Sequence, residues 1–302
     1  MNSLRNRYRE YQEPKPKVVI MVNDKAACNL NCACCYLPYE GVREPLAVLR
    51  IIDNLQAQYR IAIAGSETLT DLRYLEAYRK VEQKYILTNG LLLDRQPELF
   101  YTLREYGIEE IQISYDFKGQ KGGQGNNSSM VERVVRVAKS KGFWVRIACI
   151  VTSENYQEVE QMCDSVKAMG ADAIFFIRYV KSGSAKTQAK ETLTDEQITD
   201  FFRKADRIKE RLNKDELDIR INGNFGPRKG SKGERLAANN KYCFAGRAIF
   251  AVDPNNNVYG CPYLMDTEPI GKLIDESRLE ITRELCNGDR TKCLTDQIYV
   301  EP

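Results

Sequence analysis

Residues 28–36 read Cys-Asn-Leu-Asn-Cys-Ala-Cys-Cys-Tyr and follow closely after an apolar run at residues 18–22 that is typical of a buried β-strand. Cys28, Cys32 and Cys35 are spaced by four and then three residues. At this spacing, three thiolates can fold around a cuboidal iron–sulfur cluster and leave its fourth iron without a protein ligand. The segment therefore predicts a metal centre on the loop after the first strand, where parallel barrels place their functional loops.

The pattern around this loop alternates short apolar runs with longer stretches of helical periodicity, which is typical of repeated strand–helix units. The predicted strands are 18–22, 60–64, 85–88, 111–115, 145–151 and 173–178. The predicted helices are 45–59, 71–82, 96–106, 129–141 and 156–168, and a further helix opens at the capping sequence Thr-Asp-Glu-Gln, which begins at Thr194. The expected fold class is α/β: a partial (β/α)6 TIM-like barrel, followed by a small module of a β-hairpin plus a helix.

Composition excludes several functional classes. The chain of 302 residues contains no histidine, which rules out imidazole metal sites and mechanisms with a histidine base, although all-cysteine zinc sites stay open. A formal charge of +3 gives no indication of a nucleic-acid or membrane partner. No signal peptide and no apolar span of about 20 residues is present. We expect a cytoplasmic protein whose cysteines serve metal ligation or thiol chemistry.

Short polar motifs follow the later strands in a fixed order. Gly65-Ser66-Glu67 follows the second strand, Thr88-Asn89-Gly90 the third, and Ser114-Tyr115-Asp116 ends the fourth. With these motifs, the chain resembles the radical S-adenosylmethionine (radical SAM) superfamily, whose CxxxCxxC loop, Gly-Gly-Glu-type motif and Ser-x-Asp strand end occur in this order. The resemblance covers about residues 17–181.

The resemblance implies a set of cofactors and their ligands. Cys28, Cys32 and Cys35 would ligate a [4Fe–4S] cluster whose unique iron is chelated by S-adenosylmethionine. One electron, from a reductant such as flavodoxin or ferredoxin, would break the sulfonium bond, and the resulting 5′-deoxyadenosyl radical would abstract a hydrogen atom from substrate.

The same resemblance assigns cofactor-binding residues. Gly65, Ser66 and Glu67 match the segment that receives the methionine amino group, and a small residue there allows the backbone to approach the ligand closely. Ser114 and Asp116 match positions that commonly face the nucleoside or the carboxylate.

Three features depart from the family pattern. Cys34 stands where the family usually has an aromatic residue, so it is an alternative ligand to Cys35 and a candidate hydrogen donor. Ser66 replaces the second glycine of the Gly-Gly-Glu-type motif. Residues 118–129 lack the pattern that supplies the usual arginine contact to the cofactor carboxylate. Structural zinc is the alternative interpretation of the cysteine loop.

The C-terminal part is expected to form a separate module. We predict an N-terminal extension at 1–16, the barrel at 17–215, a Gly- and Lys-rich linker at 216–240 and an auxiliary domain at 241–302. Two strands joined by an Asp-Pro-Asn-Asn turn place Cys243 and Cys261 at the outer ends of a hairpin, and Cys286 and Cys293 follow. This region resembles the SPASM/Twitch extension of radical SAM enzymes. The resemblance implies one auxiliary iron–sulfur cluster on these four cysteines; structural zinc is again the alternative.

Three functional classes remain open. The first is a radical SAM enzyme that matures a peptide or a peptide-derived natural product; the expected lack of a leader-binding domain of about 80 residues weakens this choice. The second is a radical SAM dehydrogenase or epimerase acting on a small sugar, cyclitol or amino acid. The third is a non-enzymatic electron-transfer or zinc-binding module. We also expect substrate contacts past the sixth strand, at Tyr179, Lys181 and Ser182.

Overall fold

The computed structural model describes residues 15–38, 41–117, 127–188, 192–212, 215–228, 243–285 and 293–295. Short apolar strands alternate with amphipathic helices over the first two thirds of the chain, and short strands make up the remainder. No helix among these described residues is long and apolar enough to cross a membrane.

Seven strands form the barrel region, and all of their pairings are parallel. Their order is β1–β2 in one sheet and β3–β4–β5–β6–β7 in the next. The strands are β1 (Lys17–Met21), β2 (Arg60–Ala64), β3 (Tyr85–Thr88), β4 (Glu110–Tyr115), β5 (Trp144–Val151), β6 (Ala173–Arg178) and β7 (Asp218–Ile221).

Seven helices accompany these strands in the described residues, and their buried side chains join the strands in one large apolar core. The helices are α1 (Pro45–Leu55), α2 (Leu75–Lys80), α3 (Leu91–Arg95), α4 (Leu99–Glu105), α5 (Ser128–Ser140), α6 (Val159–Ala168) and α7 (Asp195–Arg211). Thr194 caps α7 as its sequence predicts, because its hydroxyl accepts from the Gln197 N–H while the Gln197 side chain accepts from the Thr194 N–H.

The C-terminal strands continue the sheet of the barrel. Strand β8 (Ile249–Val252) pairs in parallel with β1, so β1 lies between β2 and β8. Two antiparallel hairpins then extend the sheet outward through β9 (Asn257–Tyr259), β10 (Gly271–Ile274) and β11 (Arg278–Ile281). The cysteine-bearing hairpin is therefore joined to the first barrel strand by backbone hydrogen bonds.

The side chain of Gln83 connects the two sheets where the ladder is interrupted between β2 and β3. Its amide oxygen accepts from the Ile63 N–H at 2.9 Å, and its amide nitrogen donates to the carbonyls of Ile63 at 3.0 Å and Tyr85 at 2.9 Å. Gln83 is 7% exposed. One buried side chain thus satisfies three backbone groups that a continuous ladder would otherwise pair.

The structure confirms the expected α/β partial barrel, and the six predicted strands agree with the observed ones to within one residue. A seventh strand, β7, lies at the start of the segment 216–240 and pairs with β6, and the bounds of the linker stay a prediction. Two isoleucines alternating with charged residues make β7 short and weakly apolar, which hides it from a search for apolar runs. The predicted helix of the C-terminal module falls partly outside the described residues.

Replacing Gln83 with leucine is expected to destabilise the protein. The substitution leaves the Ile63 N–H and two carbonyls without partners in a buried position, at a cost of about 1–3 kcal/mol or more. The free energy of unfolding in urea measures this. Gln157→Leu is the matched control, because Gln157 is exposed and its amide nitrogen donates to the Tyr156 hydroxyl rather than to the backbone of a strand. Equal stabilities for the two variants would contradict the role of Gln83.

Candidate metal centre and cofactor site

The loop that follows β1 carries the four clustered cysteines, and one carboxylate holds both of its ends. Asp24 is fully buried, and one of its oxygens accepts from the Ala26 N–H at 2.7 Å. Its other oxygen accepts from the Gly41 N–H. Both ends of the loop are therefore bound to one side chain, which keeps the loop close to the end of β1.

Asn23 ties this loop to the Gly65-Ser66-Glu67 motif after β2. Its amide oxygen accepts from the Ser66 N–H at 3.0 Å, and its amide nitrogen donates to the Glu67 carbonyl at 2.9 Å. A Cβ on Gly65 would lie 2.2 Å from that amide oxygen. Gly65 is therefore required by the close approach of Asn23. The predicted contact of Gly65 with the cofactor stays a prediction.

The carboxyl group of Glu67 points into the protein and organises the next loop. One oxygen accepts from the Thr88 hydroxyl at 3.0 Å and the Asn89 N–H at 2.7 Å, and the other accepts from the Leu69 N–H at 3.3 Å. Burial raises the pKa of Glu67 to about 7, although these hydrogen bonds oppose the shift. Glu67 thus joins the ends of β2 and β3.

Asn89 extends the same network back to the cysteine loop. Its side-chain nitrogen donates to the Asn29 side-chain oxygen at 2.7 Å, next to Cys28. The backbone of Gly90 follows with φ of +85°, a left-handed conformation that glycine adopts without strain, and it begins α3. The Thr88-Asn89-Gly90 motif therefore both turns the chain and supports the cysteine loop.

The segment after β6 supports the other side of the cysteine loop. The Ser182 hydroxyl donates to the Tyr36 carbonyl at 2.9 Å, and the Ala185 N–H donates to the Cys35 carbonyl at 3.3 Å. Lys25 reaches across to hydrogen-bond the Ser184 hydroxyl. The expected substrate contacts at Tyr179 and Ser182 are in this structure contacts within the protein, since the Tyr179 hydroxyl donates to the Ala185 carbonyl at 2.8 Å.

Gly183 lies at the tightest point of this packing. Its φ is +56°, and a Cβ there would lie 2.6 Å from the Leu37 carbonyl oxygen and 2.8 Å from the carbonyl of Tyr36. Its N–H donates to Asp266 of the C-terminal part at 2.8 Å. The segment after β6 therefore contacts both cysteine-bearing regions of the chain.

The thiols of Cys28, Cys32 and Cys35 lie within electrostatic range of one another. Burial raises the pKa of Cys28, and hydrogen bonds from the Leu30 backbone and the Ser66 side chain oppose this shift. The pKa of Cys35 is raised to about 11, chiefly by burial and in part by negative charge on Cys32, against the opposing effects of the Leu37 backbone hydrogen bond and the Lys25 ammonium. Such thiols hold their protons until a metal displaces them.

A donor set made of thiolates alone fits an iron–sulfur cluster. A cuboidal cluster places its thiolate ligands at separate corners, so cysteines that hold it need not converge on a point. The Ser66 hydroxyl beside Cys28 brings the Gly65-Ser66-Glu67 motif next to the proposed cluster.

Cys34 occupies a different environment from its neighbours. It is buried, and it packs against Tyr179 and Ala185, with Cys32 and Ile150 at the edge of the group. This packing favours Cys35 over Cys34 as the third ligand. The hydrogen-donor role of Cys34 stays a prediction.

Ser114 and Asp116 lie at the carboxyl end of β4. Alternate residues of β4 are fully buried towards the helices, and Ser114 belongs to the other set, which lines the barrel interior. The Asn127 side chain binds the backbone there, accepting from the Asp116 N–H at 2.9 Å and donating to the Ser114 carbonyl at 3.3 Å. Both residues are therefore placed at the barrel mouth, and their contacts to a nucleoside stay predictions.

The C-terminal cysteines form a second group. Burial raises the pKa of Cys261 to about 12, with smaller contributions from negative charge on Cys293 and Cys243, so the three sulfurs lie within electrostatic range. The predicted role of Cys243 and Cys261 as ligands of one cluster stays a prediction. Cys286 lies outside the described residues.

The cysteine groups are connected by one direct contact and by one contact through the segment after β6. The ring of Tyr36, next to Cys35, packs on that of Tyr263, two residues after Cys261, with 5.0 Å between centroids. Asp266 accepts from the Gly183 N–H and pairs with Lys186 at 2.7 Å. The two cysteine groups are therefore separated by the contact between the Tyr36 and Tyr263 rings.

Sequence reasoning missed the residues that orient the loops. Asn23 and Asp24 lie directly after an apolar strand. Two consecutive polar residues at that position indicate side chains that hold the following loop. Asp266 and Lys25 carry no such signal, because their partners lie 83 and 159 residues away along the chain.

Comparison with known proteins finds a family match within the barrel region. Residues 22–166 match the family model described as the Radical SAM superfamily. The subtilosin biosynthesis protein AlbA of Bacillus subtilis is 27% identical over 171 residues, which cover 49% of this chain and 36% of AlbA. The chain therefore spans about a third of this curated relative.

Solved structures share the fold. Streptococcus suis SuiB, bound to its precursor peptide SuiA, matches with a TM-score of 0.65 at 15% identity, over 96% of this chain and 65% of SuiB. The anSMEcpe protein with bound AdoMet matches with a TM-score of 0.60 at 18% identity, over 86% of this chain and 78% of that one. At these identities the likeness establishes the architecture, including the C-terminal extension.

Gly183→Ala is expected to displace the cysteine loop and lower its iron content after anaerobic reconstitution. The added methyl group meets two carbonyls of the loop, and the left-handed backbone adds about 1–2 kcal/mol of strain. Gly170→Ala is the matched control, because Gly170 has φ of +80° with open space around its Cβ position. Iron content that falls equally in both variants would show that strain alone, rather than contact with the loop, is responsible.

Glu67 is expected to make stability depend on pH. Between about pH 4.5 and 7, the folded protein binds more protons at this carboxyl than the unfolded chain does. The free energy of unfolding therefore falls as pH rises through this window, by on the order of 3 kcal/mol. Urea titrations of the parent and of Glu67→Gln at several pH values measure the difference, and Glu82→Gln, an exposed position, is the control. A parent-minus-variant difference that is constant with pH would contradict the buried titration.

Proposed function

Because residues 22–166 belong to the radical SAM superfamily, we propose that this chain is an enzyme that reductively cleaves S-adenosylmethionine at Cys28, Cys32 and Cys35 and abstracts a hydrogen atom from a peptide substrate. The observation that carries the proposal is the placement of these thiols. They lie on a loop held by the segments after β2, β3 and β6, beside the Ser66 hydroxyl.

The cluster and S-adenosylmethionine, when bound, supply the 5′-deoxyadenosyl radical. The chain's own residues position the reactants. Asp24, Asn23 and Asn89 hold the loop at the barrel mouth, where Cys28, Cys32 and Cys35 would ligate the cluster. The backbone of Gly65 to Glu67 and the polar end of β4 are then the nearest elements for the amino acid and nucleoside parts of the cofactor.

Charged and aromatic side chains occupy the lower barrel, and we propose that substrate enters from the mouth. Arg146 pairs with Glu110 at 3.0 Å, and its guanidinium lies 5.1 Å from the ring of Phe175 and 5.4 Å from that of Tyr85. These residues lie on the interior-facing sets of β3 to β6. These side chains narrow the lower barrel, whereas the polar motifs lie at the opposite ends of the strands.

Two relatives support a peptide substrate. AlbA is named for the biosynthesis of the antilisterial bacteriocin subtilosin, and SuiB was solved with its precursor peptide. SuiB resembles this chain over nearly all of the chain's length, including the C-terminal strands. We therefore favour peptide maturation over a small sugar, cyclitol or amino-acid substrate.

The C-terminal cysteines are proposed to hold an auxiliary iron–sulfur cluster. Cys243, Cys261 and Cys293 lie within electrostatic range of one another, and Cys286 is the predicted fourth ligand. Thiolates alone, without histidine, suit such a cluster. Reduction of the first cluster is proposed to use flavodoxin or ferredoxin.

The proposal is tested with reconstituted protein under anaerobic conditions. The parent is expected to bind about eight irons, as two four-iron clusters, and to release 5′-deoxyadenosine when reduced with dithionite in the presence of S-adenosylmethionine. The combined variant Cys28→Ala/Cys32→Ala/Cys35→Ala is expected to keep about four irons and to lose nucleoside release completely. Liquid chromatography quantifies the nucleoside.

The matched control is Cys243→Ala/Cys261→Ala, which removes two thiols from the other group. It is expected to lose about four irons and still release 5′-deoxyadenosine. Release of 5′-deoxyadenosine by the Cys28→Ala/Cys32→Ala/Cys35→Ala variant would contradict the proposal. Tightly bound zinc without any nucleoside release would favour a binding module instead.

A further inference from the structure

Arg178 is a buried cation next to the second cysteine group, and the proposed activity gives it no role. It is the last residue of β6 and is 3% exposed. Its Nη2 donates to the Thr295 hydroxyl at 3.2 Å, and this hydroxyl lies 3.1 Å from the Cys293 sulfur. A single hydroxyl therefore separates the guanidinium from a predicted cluster ligand.

The backbone of Arg178 is fixed independently of that contact. Its N–H donates to the Asn224 side-chain oxygen at 3.2 Å, and the Asn224 side-chain nitrogen donates to the Arg178 carbonyl at 2.9 Å. Asn224 is itself 3% exposed. The guanidinium thus extends from a rigid strand end. The Arg178 backbone loses little further conformational entropy when the guanidinium binds Thr295.

We propose that Arg178 positions Cys293 through Thr295 and raises the reduction potential of the auxiliary cluster. The inference rests on the proposed function, since it requires Cys293 to ligate that cluster. An iron–sulfur cluster gains one negative charge on reduction. A cation in a low-dielectric environment therefore stabilises the reduced form more than the oxidised form. Arg178 is accordingly a positioning residue.

Arg247 provides an internal comparison for this effect. Its Nη2 donates to the Cys243 carbonyl at 3.1 Å, so it also contacts a residue of the second cysteine group. Its side chain is exposed to solvent, however, where water and salt screen its charge. The two arginines carry the same charge and differ in burial.

The experiment measures the midpoint potential of the auxiliary cluster by redox titration followed by electron paramagnetic resonance. The full chain is used in the Cys28→Ala/Cys32→Ala/Cys35→Ala background, so that only the auxiliary cluster contributes a signal. Arg178→Met removes the charge at similar length, Arg178→Lys keeps it, and Thr295→Val removes the hydroxyl. Arg247→Met is the matched control.

Arg178→Met is expected to lower the reduced-to-oxidised ratio at a fixed potential at least tenfold, which corresponds to about 59 mV for one electron. Arg178→Lys is expected to restore most of this shift, and Arg247→Met to change the ratio less than twofold. Thr295→Val is expected to speed the loss of iron to a chelator severalfold, because Cys293 is less firmly held.

An unchanged potential in Arg178→Met with four irons retained would overturn the inference, as would equal shifts in Arg178→Met and Arg247→Met. If Arg178→Met does not retain iron, the inference is tested by the iron content of Arg178→Lys and by the rate at which Thr295→Val loses iron to a chelator. The inference would be overturned if Thr295→Val lost iron at the rate of the parent and Arg178→Lys lost iron as readily as Arg178→Met. Absence of the auxiliary signal from the unsubstituted Arg178 background would instead indicate failure of the proposed cluster.

Discussion

The loop that carries Cys28 to Cys35 has little regular secondary structure, so its position depends on hydrogen bonds from side chains that surround it. Asp24 joins its two ends, Asn23 binds it to the loop after β2, and Asn89 binds it to the loop after β3. The segment after β6 holds its other side through Ser182. These contacts involve four different strand ends, which is why the loop requires the whole barrel rather than a local fold.

The parallel pairing of β8 with β1 gives the second cysteine group its position. Because β1 ends at the first cysteine loop and β8 belongs to the C-terminal hairpin, one sheet carries both groups. Arg43 reinforces this arrangement from the end of the loop, donating to the Asn256 side chain at 2.6 Å and to the Asp253 carbonyl. The Tyr36 and Tyr263 rings then lie between the two groups.

Local patterns in the sequence were sufficient for most of the barrel. Strand and helix positions follow from runs of apolar residues, and the cysteine spacing and the polar motifs identify the first site. Strand β7 was missed because its alternating Ile and charged residues resemble a loop. The contacts of Gln83, Asp266 and Arg178 could not be predicted, since they depend on how distant segments meet. The placement of Cys286 lies outside the described residues.

The central claim is that the cluster at Cys28, Cys32 and Cys35 presents one iron to S-adenosylmethionine. Electron–nuclear double resonance on the reduced protein, with S-adenosylmethionine labelled with ¹⁵N in the amino group or ¹⁷O in the carboxylate, tests it most directly. Hyperfine coupling from both labels is predicted in the parent and in Cys243→Ala/Cys261→Ala. A reduced cluster that shows no coupling from either label, with the ligand bound, would contradict the account.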